Sequence, residues 1–241
     1  MRRLSGIALC MGLAVVVIVL TALGVWQLQR RVWKHDLIAR VAQRIHAPAQ
    51  SAPEPGAWPT INRTTDEYKV VRVTGHFLPA SDALVQAVTD LGGGYWVLTP
   101  FKTDTGFTVL INRGFVPVDW RTTLPQGFAP PRGPVTVTGL LRLSEPGGAF
   151  LHRNKPEENR WYSRDVLGIA QARGLTGVAP YFIDARARAV DAWPRGGLTV
   201  IDFPDNHLVY AITWFGLALL VGGLSVRAWR TGRQTRYGSE V

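Results

Sequence analysis

The amino-acid sequence predicts an integral membrane protein in which two transmembrane helices flank an α+β, mainly antiparallel β extramembrane domain. Two long stretches without charged side chains, one near each end of the chain, predict the helices. Between them, short segments rich in β-branched and aromatic residues alternate with turn residues, and this pattern predicts the sheet. With 241 residues, 46% of them hydrophobic, the chain has room for two spans and one such domain.

The first transmembrane helix is predicted over residues 6–28, after a short cytoplasmic N-terminus of residues 1–5. The 25 residues from Leu4 to Leu28 carry no ionisable group other than the thiol of Cys10, and about 20 apolar residues allow a helix to cross a bilayer. A cleaved signal peptide has an apolar core of only about 7 to 15 residues. Because this stretch instead continues to Arg30 and Arg31, we expect a retained anchor.

The second transmembrane helix is predicted over residues 206–226, followed by a basic cytoplasmic tail of residues 227–241. In the 21 residues from Asn206 to Val226, the only titratable groups belong to His207 and Tyr210. A buried core helix is the alternative interpretation. The length of the uncharged stretch and the arginine-rich tail behind it favour a span.

The charges next to the spans predict the orientation. Six arginines lie in the two tails, and short positively charged segments stay in the cytoplasm. Arg30, Arg31 and Lys34 argue for the opposite orientation, but long domains are translocated largely regardless of charge. We therefore expect the domain of residues 29–205 to lie outside the cytoplasm.

Charge and sulfur content exclude several function classes. The net charge of +10 is spread over the tails and the domain without a basic stripe of interleaved aromatic residues, so nucleic acid is not an expected partner. Cys10 is the only cysteine, and the only methionines are Met1 and Met11. The domain therefore has no disulfide, no thiolate zinc site and no thiol or thioether copper site.

The order of elements in the domain follows from periodicity and turn residues. A helical pattern continues beyond the first span to Ile45, and four prolines between Ala47 and Pro59 then predict a loop that serves as a hinge. One helix is predicted from Ser163, as its N-cap, to Arg173. A hairpin turn is predicted at residues 92–94. Strands are predicted over residues 68–77, 83–88, 95–101, 107–112, 135–143, 180–184 and 198–202.

No catalytic motif is present in the sequence. The glycines at 92–94 precede a strand-like segment, not a helix, and no Gly-Lys-Ser/Thr follows them. Gly-x-Ser-x-Gly and His-Glu-x-x-His are missing, and the five histidines are scattered. Glu157, Glu158 and Asp165 could form paired carboxylates, but their pattern is more typical of surface charge. We do not expect an enzyme.

His207 is the strongest candidate for a functional side chain. Helical spacing places it on one face of the second span with Tyr210, Ala211 and Trp214. An ionisable side chain at a membrane boundary is costly unless it has a partner, and it often marks a functional site. An imidazole beside a small residue and aromatic rings can hold haem through its iron, so His207 is the candidate iron ligand.

Two residues of the first span could complete such a pocket. Trp26 could supply an opposing aromatic wall, and Arg30 could pair with haem propionates. The alternative is that His207, Trp214 and Trp26 are ordinary members of the interfacial aromatic and polar belt. These residues alone leave both interpretations open.

In the order of its motifs, the chain resembles the Surf1 family of cytochrome c oxidase assembly factors over nearly its whole length. The residues that carry the resemblance are Leu23–Leu28 with Arg30; Tyr68, Val70, Val73, Gly75 and Phe77; Thr99–Phe101; Asn112–Pro117; Gly139–Arg142; Asn159–Tyr162 with Asp165; and Asn206–Leu208 with Tyr210, Ala211, Thr213 and Trp214. The segments 47–59 and 118–121 have no distinctive counterpart.

The resemblance implies a membrane protein that helps to assemble a haem-copper oxidase by receiving haem a and presenting it to oxidase subunit I. His207 matches the histidine that, by this resemblance, binds haem in bacterial members, and the β domain would dock the oxidase or the haem a synthase. The few residues before the first span leave no room for a mitochondrial transit peptide. We therefore expect a multi-pass protein of the bacterial inner membrane, with its domain in the periplasm. A haem-free scaffold for an oxidase intermediate is the alternative.

Overall fold

The computed structural model describes residues 2–78, 82–121, 128–149, 152–187, 192–199 and 204–237, with backbone alone for 2–8, 121 and 231–237. The chain forms two compact units. One unit comprises Met1–Arg40 and Asp202–Val241, and the other comprises Val41–Ile201.

Helices and strands alternate little among the described elements, because turns, not helices, connect most of the strands. The helices are α1 (Arg2–Ile45), α2 (Arg63–Asp66), α3 (Val166–Ala172) and α4 (His207–Tyr237). The strands are β1 (Gln50–Ser51), β2 (Val70–Phe77), β3 (Ala83–Thr89), β4 (Gly92–Thr103), β5 (Thr108–Pro117), β6 (Val135–Leu143) and β7 (Val178–Ala185). Short 3₁₀ turns lie at Pro55–Thr60, Val118–Arg121 and Pro156–Glu158.

The helical unit confirms the predicted fold class at both ends of the chain. Leu9–Ile45 and His207–Arg230 are long and apolar enough to cross a membrane. Their large apolar side chains point outward; Ile18 is 66% exposed and Leu219 is 77% exposed, as expected of surfaces solvated by lipid. α1 continues to Ile45, which confirms the predicted extension of the helical pattern.

Small residues line the contact between α1 and α4. Ala211 and Ala218, seven residues apart, are buried on α4. Gly24 of α1 lies so close to the Phe215 ring that an added Cβ would be 2.6 Å from it. Small side chains let two membrane helices approach closely, where packing is their main source of attraction.

The strands of the second unit close into a small barrel. Five strands follow one another in the order β2, β6, β7, β5 and β4, and Gly75–Phe77 of β2 pair with Phe101–Thr103 of β4 to complete the circle. β3 extends the sheet beyond β4, and β1 lies parallel to β2. Most pairs are antiparallel, as predicted, while β5 and β7 are parallel. A barrel this small is filled by its own side chains, here by Phe101, Ile111, Tyr181 and Ile183, among others.

A second cluster packs α3 against the sheet outside the barrel. Trp161, Val166, Ile169 and Phe182 are buried there. Asp165 caps α3 by accepting a hydrogen bond from the Gly168 backbone N–H. The predicted N-cap, Ser163, was therefore wrong.

Other predictions of local structure need correction. The segment 47–59 is not a simple hinge, because it contains β1 and a 3₁₀ turn, and Trp58 packs edge-on against Phe107. The hairpin predicted at residues 92–94 exists, but Asp90 and Leu91 form its turn and the glycines begin β4. Of the strand predicted over 198–202, residues 198 and 199 are not in a strand, and the others lie outside the described residues.

Candidate functional site

The imidazole of His207 is held by a residue from the other end of the chain. Its Nδ1 lies 2.7 Å from Gln27 Oε1. An amide oxygen can only accept a hydrogen bond, so Nδ1 carries the proton and donates it. The tautomer that results has its free lone pair on Nε2, and this lone pair can ligate a metal.

Asp205 holds the first turn of α4 in place just ahead of His207. Its Oδ1 accepts a hydrogen bond from the His207 backbone N–H at 3.0 Å. Its Oδ2 lies 2.8 Å from His35 Nε2 and 3.6 Å from Arg31 Nε. Lys34 also donates to the Pro204 carbonyl. The contact with the His207 backbone and the neighbouring His35 keep the pKa of Asp205 below its usual value.

These contacts give a physical reason for the cations that conflict with the positive-inside rule. Arg31 and Lys34 follow the first apolar stretch, where positive charge disfavours translocation. Both contact the short segment in front of α4. Together with His35, they join the end of the first span to the beginning of α4, so they stabilise the helix pair.

The remaining candidates on α4 do not all share one environment. His207 is partly buried, and Ala211 is 1% exposed against α1. Tyr210 is 55% exposed, and Trp214 is partly buried. The face predicted for these four residues therefore divides into a side turned towards α1 and an open side that carries Tyr210.

The side chains of Trp26 and Arg30 on α1 are both exposed and are not tightly packed. Trp26 is 52% exposed. The Arg30 guanidinium lies 4.1 Å from the centroid of the Trp33 ring, in a cation-π contact one turn further along the helix. Among the described residues, therefore, the helical unit offers a fixed imidazole, exposed aromatic rings and an exposed guanidinium.

Sequence reasoning missed the roles of Gln27 and Asp205. Gln27 is a polar side chain at the end of an otherwise apolar stretch, and such residues are costly in a membrane unless they have a partner. This was the available signal, but it did not identify the partner. No group of three or more potential metal-ligating side chains occurs in the part of the chain that the structure describes.

The second unit contains a network of buried charges around Arg142. Its guanidinium lies 3.4 Å from Glu67, 3.3 Å from Asp184 and 3.5 Å from Glu145. Arg164 pairs with Glu145 through two hydrogen bonds, of 2.6 and 2.9 Å. Burial by itself would lower the pKa of Arg142, but Asp184, Tyr68 and Glu67 outweigh it and raise that pKa. These groups are mutually satisfied and form a structural network.

The comparisons with known proteins extend over both units. The SURF1 family model matches residues 14–219, a range that includes Gln27 and His207. The chain is 36% identical to Surfeit locus protein 1 of Homo sapiens over 214 residues, which cover 81% of this chain and 69% of the human protein. It is 34% identical to Surfeit locus protein 1 of Gallus gallus over 224 residues, 86% of this chain and 70% of the other. A SURF1-like protein of Monosiga brevicollis is 34% identical over 231 residues, 89% of this chain and 85% of its own.

Proposed function

The chain belongs to the SURF1 family, and from this membership, which implies a role in cytochrome c oxidase assembly, we propose that it receives haem a and assists its insertion into oxidase subunit I. The observation that carries the proposal is the hydrogen bond between Gln27 and His207. A ligating histidine commonly donates its other ring N–H to a nearby acceptor, which fixes the ring and makes it more basic. His207 has this arrangement.

The side chains around His207 suit a flat, apolar group with charged edges. Nε2 of His207 would coordinate the iron, and the exposed rings of Tyr210 and Trp26 offer apolar surface on either helix. Trp214 lies two turns beyond His207 on α4 and adds a further ring. Arg30 can turn from the Trp33 ring to a propionate, because a guanidinium pairs with a carboxylate through two hydrogen bonds.

A carrier has to release what it binds. A single histidine ligand would support weaker and more readily reversible binding than two protein ligands. Gln27 then tunes the affinity, since it orients the imidazole without contacting the iron. Haem a, when bound, brings the redox-active iron that the oxidase requires, and the protein only has to hold and orient it. This role needs no catalytic residue, so we propose that the protein is not an enzyme.

The proposal includes a location and partners. The two candidate spans indicate a membrane protein, and the two arginine-rich tails favour the cytoplasm. We place the protein in the inner membrane of a bacterium with the barrel unit in the periplasm. Its partners are then oxidase subunit I, the lipid bilayer and the haem a synthase that supplies the haem.

The test is a spectrum of purified protein. The full chain, produced in a host that makes haem a and purified in mild detergent, should show a haem a band in its reduced-minus-oxidised spectrum. His207→Ala should lose this band and keep its helix content, and His76→Ala in β2 should retain it. A wild-type protein that is colourless despite available haem a would instead support a scaffold that stabilises an oxidase intermediate through protein contacts.

A further inference from the structure

One end of the barrel opens into a cavity. β2 ends there at Phe77, β6 begins at Val135, and β7 ends at Ala185; the pairings of Gly75 with Val135 and of Gly139 with Ala185 place these ends together. The cavity has a volume of about 110 Å³. One buried water needs only about 10 to 15 Å³ of such space, so a small organic molecule can enter. The mouths of β-barrels are common ligand sites.

A buried arginine lies at this barrel mouth. Arg113 lies two residues beyond Ile111 on β5, and both residues line the cavity. The Arg113 side chain is only 6% exposed. It donates to the Phe128 carbonyl, and its Nη1 lies 3.9 Å from Asp82 Oδ2. Asp82 also accepts a hydrogen bond from Thr99, so its carboxylate interacts with both Thr99 and Arg113.

The wall opposite the strands is aromatic and closely fitted. Trp193 lines the cavity, and its ring contacts Trp120 at 4.6 Å between centroids. Arg195 pairs with Phe115 through two backbone hydrogen bonds of 2.9 Å. This approach requires Gly114, where an added Cβ would lie 2.3 Å from the Arg195 backbone. The wall is therefore held against β5 by backbone contacts.

The lining combines positive charge with apolar surface. Among the described residues that line the cavity, the only charged side chains are Arg113 and the exposed Arg186. The apolar part comes from Phe77, Ile111, Val135 and Val137. A guanidinium matches a carboxylate in shape and hydrogen bonding, and apolar walls suit a short hydrocarbon chain attached to it.

We propose that the barrel mouth binds a small carboxylate, with Arg113 and Arg186 pairing with its oxygens and Trp193 packing against its hydrocarbon part. A free short-chain acid and an acidic side chain on a partner protein both present this carboxylate, and the chemistry of recognition is the same for the two sources. This site is separate from His207 and does not depend on the proposed function.

The test uses the tryptophan fluorescence of the full chain in neutral detergent at constant ionic strength. Sodium propionate should cause a saturable change that Trp193→Phe abolishes. Propionamide, which has the same shape without the charge, should cause none. Loss of the paired hydrogen bonds from one guanidinium should weaken propionate binding by about tenfold. Arg186→Gln and Arg113→Lys should both show this loss. Arg160→Gln, on the outer surface, is the control and should bind propionate as wild type does.

A second ligand distinguishes the two sources of the carboxylate. N-acetylglutamate amide presents a carboxylate as a protein side chain does. If it binds as well as propionate, the ligand is an acidic residue of a partner; if it does not bind, the ligand is a free acid. Arg186→Gln keeps the proposal testable if Arg113→Lys fails to fold, because Arg186 is exposed. Equal responses to propionate and propionamide, or propionate binding unchanged in Arg186→Gln, would overturn the proposal.

Discussion

Gln27 Oε1 and His207 Nδ1 lie 2.7 Å apart although 180 residues separate them along the chain. This hydrogen bond fixes both the tautomer and the orientation of the imidazole. It therefore links a packing feature of the helix pair to the ability of Nε2 to bind a metal.

The first prediction concerns Gln27 itself. Gln27→Ala removes the acceptor at Nδ1, and losing such an outer partner typically lowers metal affinity about 10- to 100-fold. We expect this loss in a haem titration of the purified protein followed by absorbance. Gln27→Glu keeps an acceptor and should bind haem at least as well as wild type. Gln29→Ala, an exposed site on the same helix, is the matched control, and an equal loss there would contradict the prediction.

The second prediction concerns Gly24, one helical turn before Gln27. Gly24→Ala places a methyl group within 2.6 Å of the Phe215 ring, so α1 and α4 must move apart or the ring must turn. We expect weaker haem retention, measured by gel filtration of loaded protein, and partial rescue by Phe215→Leu. Gly12→Ala meets nothing within 4 Å and should behave as wild type. Unchanged retention in Gly24→Ala would show that the ring simply rotates.

The third prediction concerns pH and Asp205. Because the folded protein lowers the pKa of Asp205, the carboxylate stabilises the fold above its unfolded pKa of about 4, and this contribution disappears as the pH falls through the lower, folded value. In SDS unfolding followed by circular dichroism, Asp205→Asn should be less stable than wild type at pH 6. The two should converge as the pH falls through the folded pKa of Asp205. A difference that does not change with pH would rule out the carboxylate's charge as the cause.

The fourth prediction compares two arginines of the barrel unit. Arg142→Met leaves Glu67 and Asp184 without their shared cation, and breaking a buried ion pair costs about 3 to 5 kcal/mol. Arg160 pairs with Glu158 at the surface, where both side chains are more than 40% exposed, so Arg160→Met should cost less than about 1 kcal/mol. Thermal unfolding of the full chain, followed by near-ultraviolet circular dichroism, measures both. Similar shifts for the two variants would contradict a structural role for the network.

The fifth prediction concerns alkaline unfolding. Burial in the barrel raises the pKa of Tyr181, whose hydroxyl donates to the Pro53 carbonyl at 2.7 Å. The unfolded chain ionises this phenol near pH 10, so its stabilising effect is present below pH 10 and is lost as the pH rises towards the folded value. Tyr181→Phe should cost about 0.5 to 1.5 kcal/mol at neutral pH and flatten the decline above pH 10. Parallel pH profiles would contradict this assignment.

Local patterns in the sequence predicted most of the barrel strands. Residues 135–143 were predicted as a strand and form β6, because β-branched residues follow a proline-rich turn. The cap of α3 was misplaced because Ser163 and Asp165 are both good caps. Only the fold shows that Ser163 Oγ accepts from Gly148 N–H and from the Asn154 side chain instead.

Closure of the barrel and the partner of His207 could not be predicted, because both depend on residues far apart in sequence. β2 meets β4 only where Gly75 allows it; a Cβ there would lie 2.0 Å from the Lys102 carbonyl oxygen. His207 was identified as a candidate from its position at the start of an apolar helix. Its contact with Gln27 depends on how α1 and α4 pack, which no local pattern specifies.

The separation of Gln27 and His207 along the chain also determines when their hydrogen bond can form during protein synthesis. The ribosome adds roughly 5 to 20 residues per second, so about 10 to 40 seconds pass between the synthesis of the first residue and that of the second. Throughout this interval the Gln27 amide of the nascent chain lacks its hydrogen-bond partner, the His207 imidazole. The contact can form only when the last helix has left the ribosome and joined the first, so an incomplete chain cannot acquire it. The fold thereby delays this hydrogen bond until the second of the two helices has been synthesised.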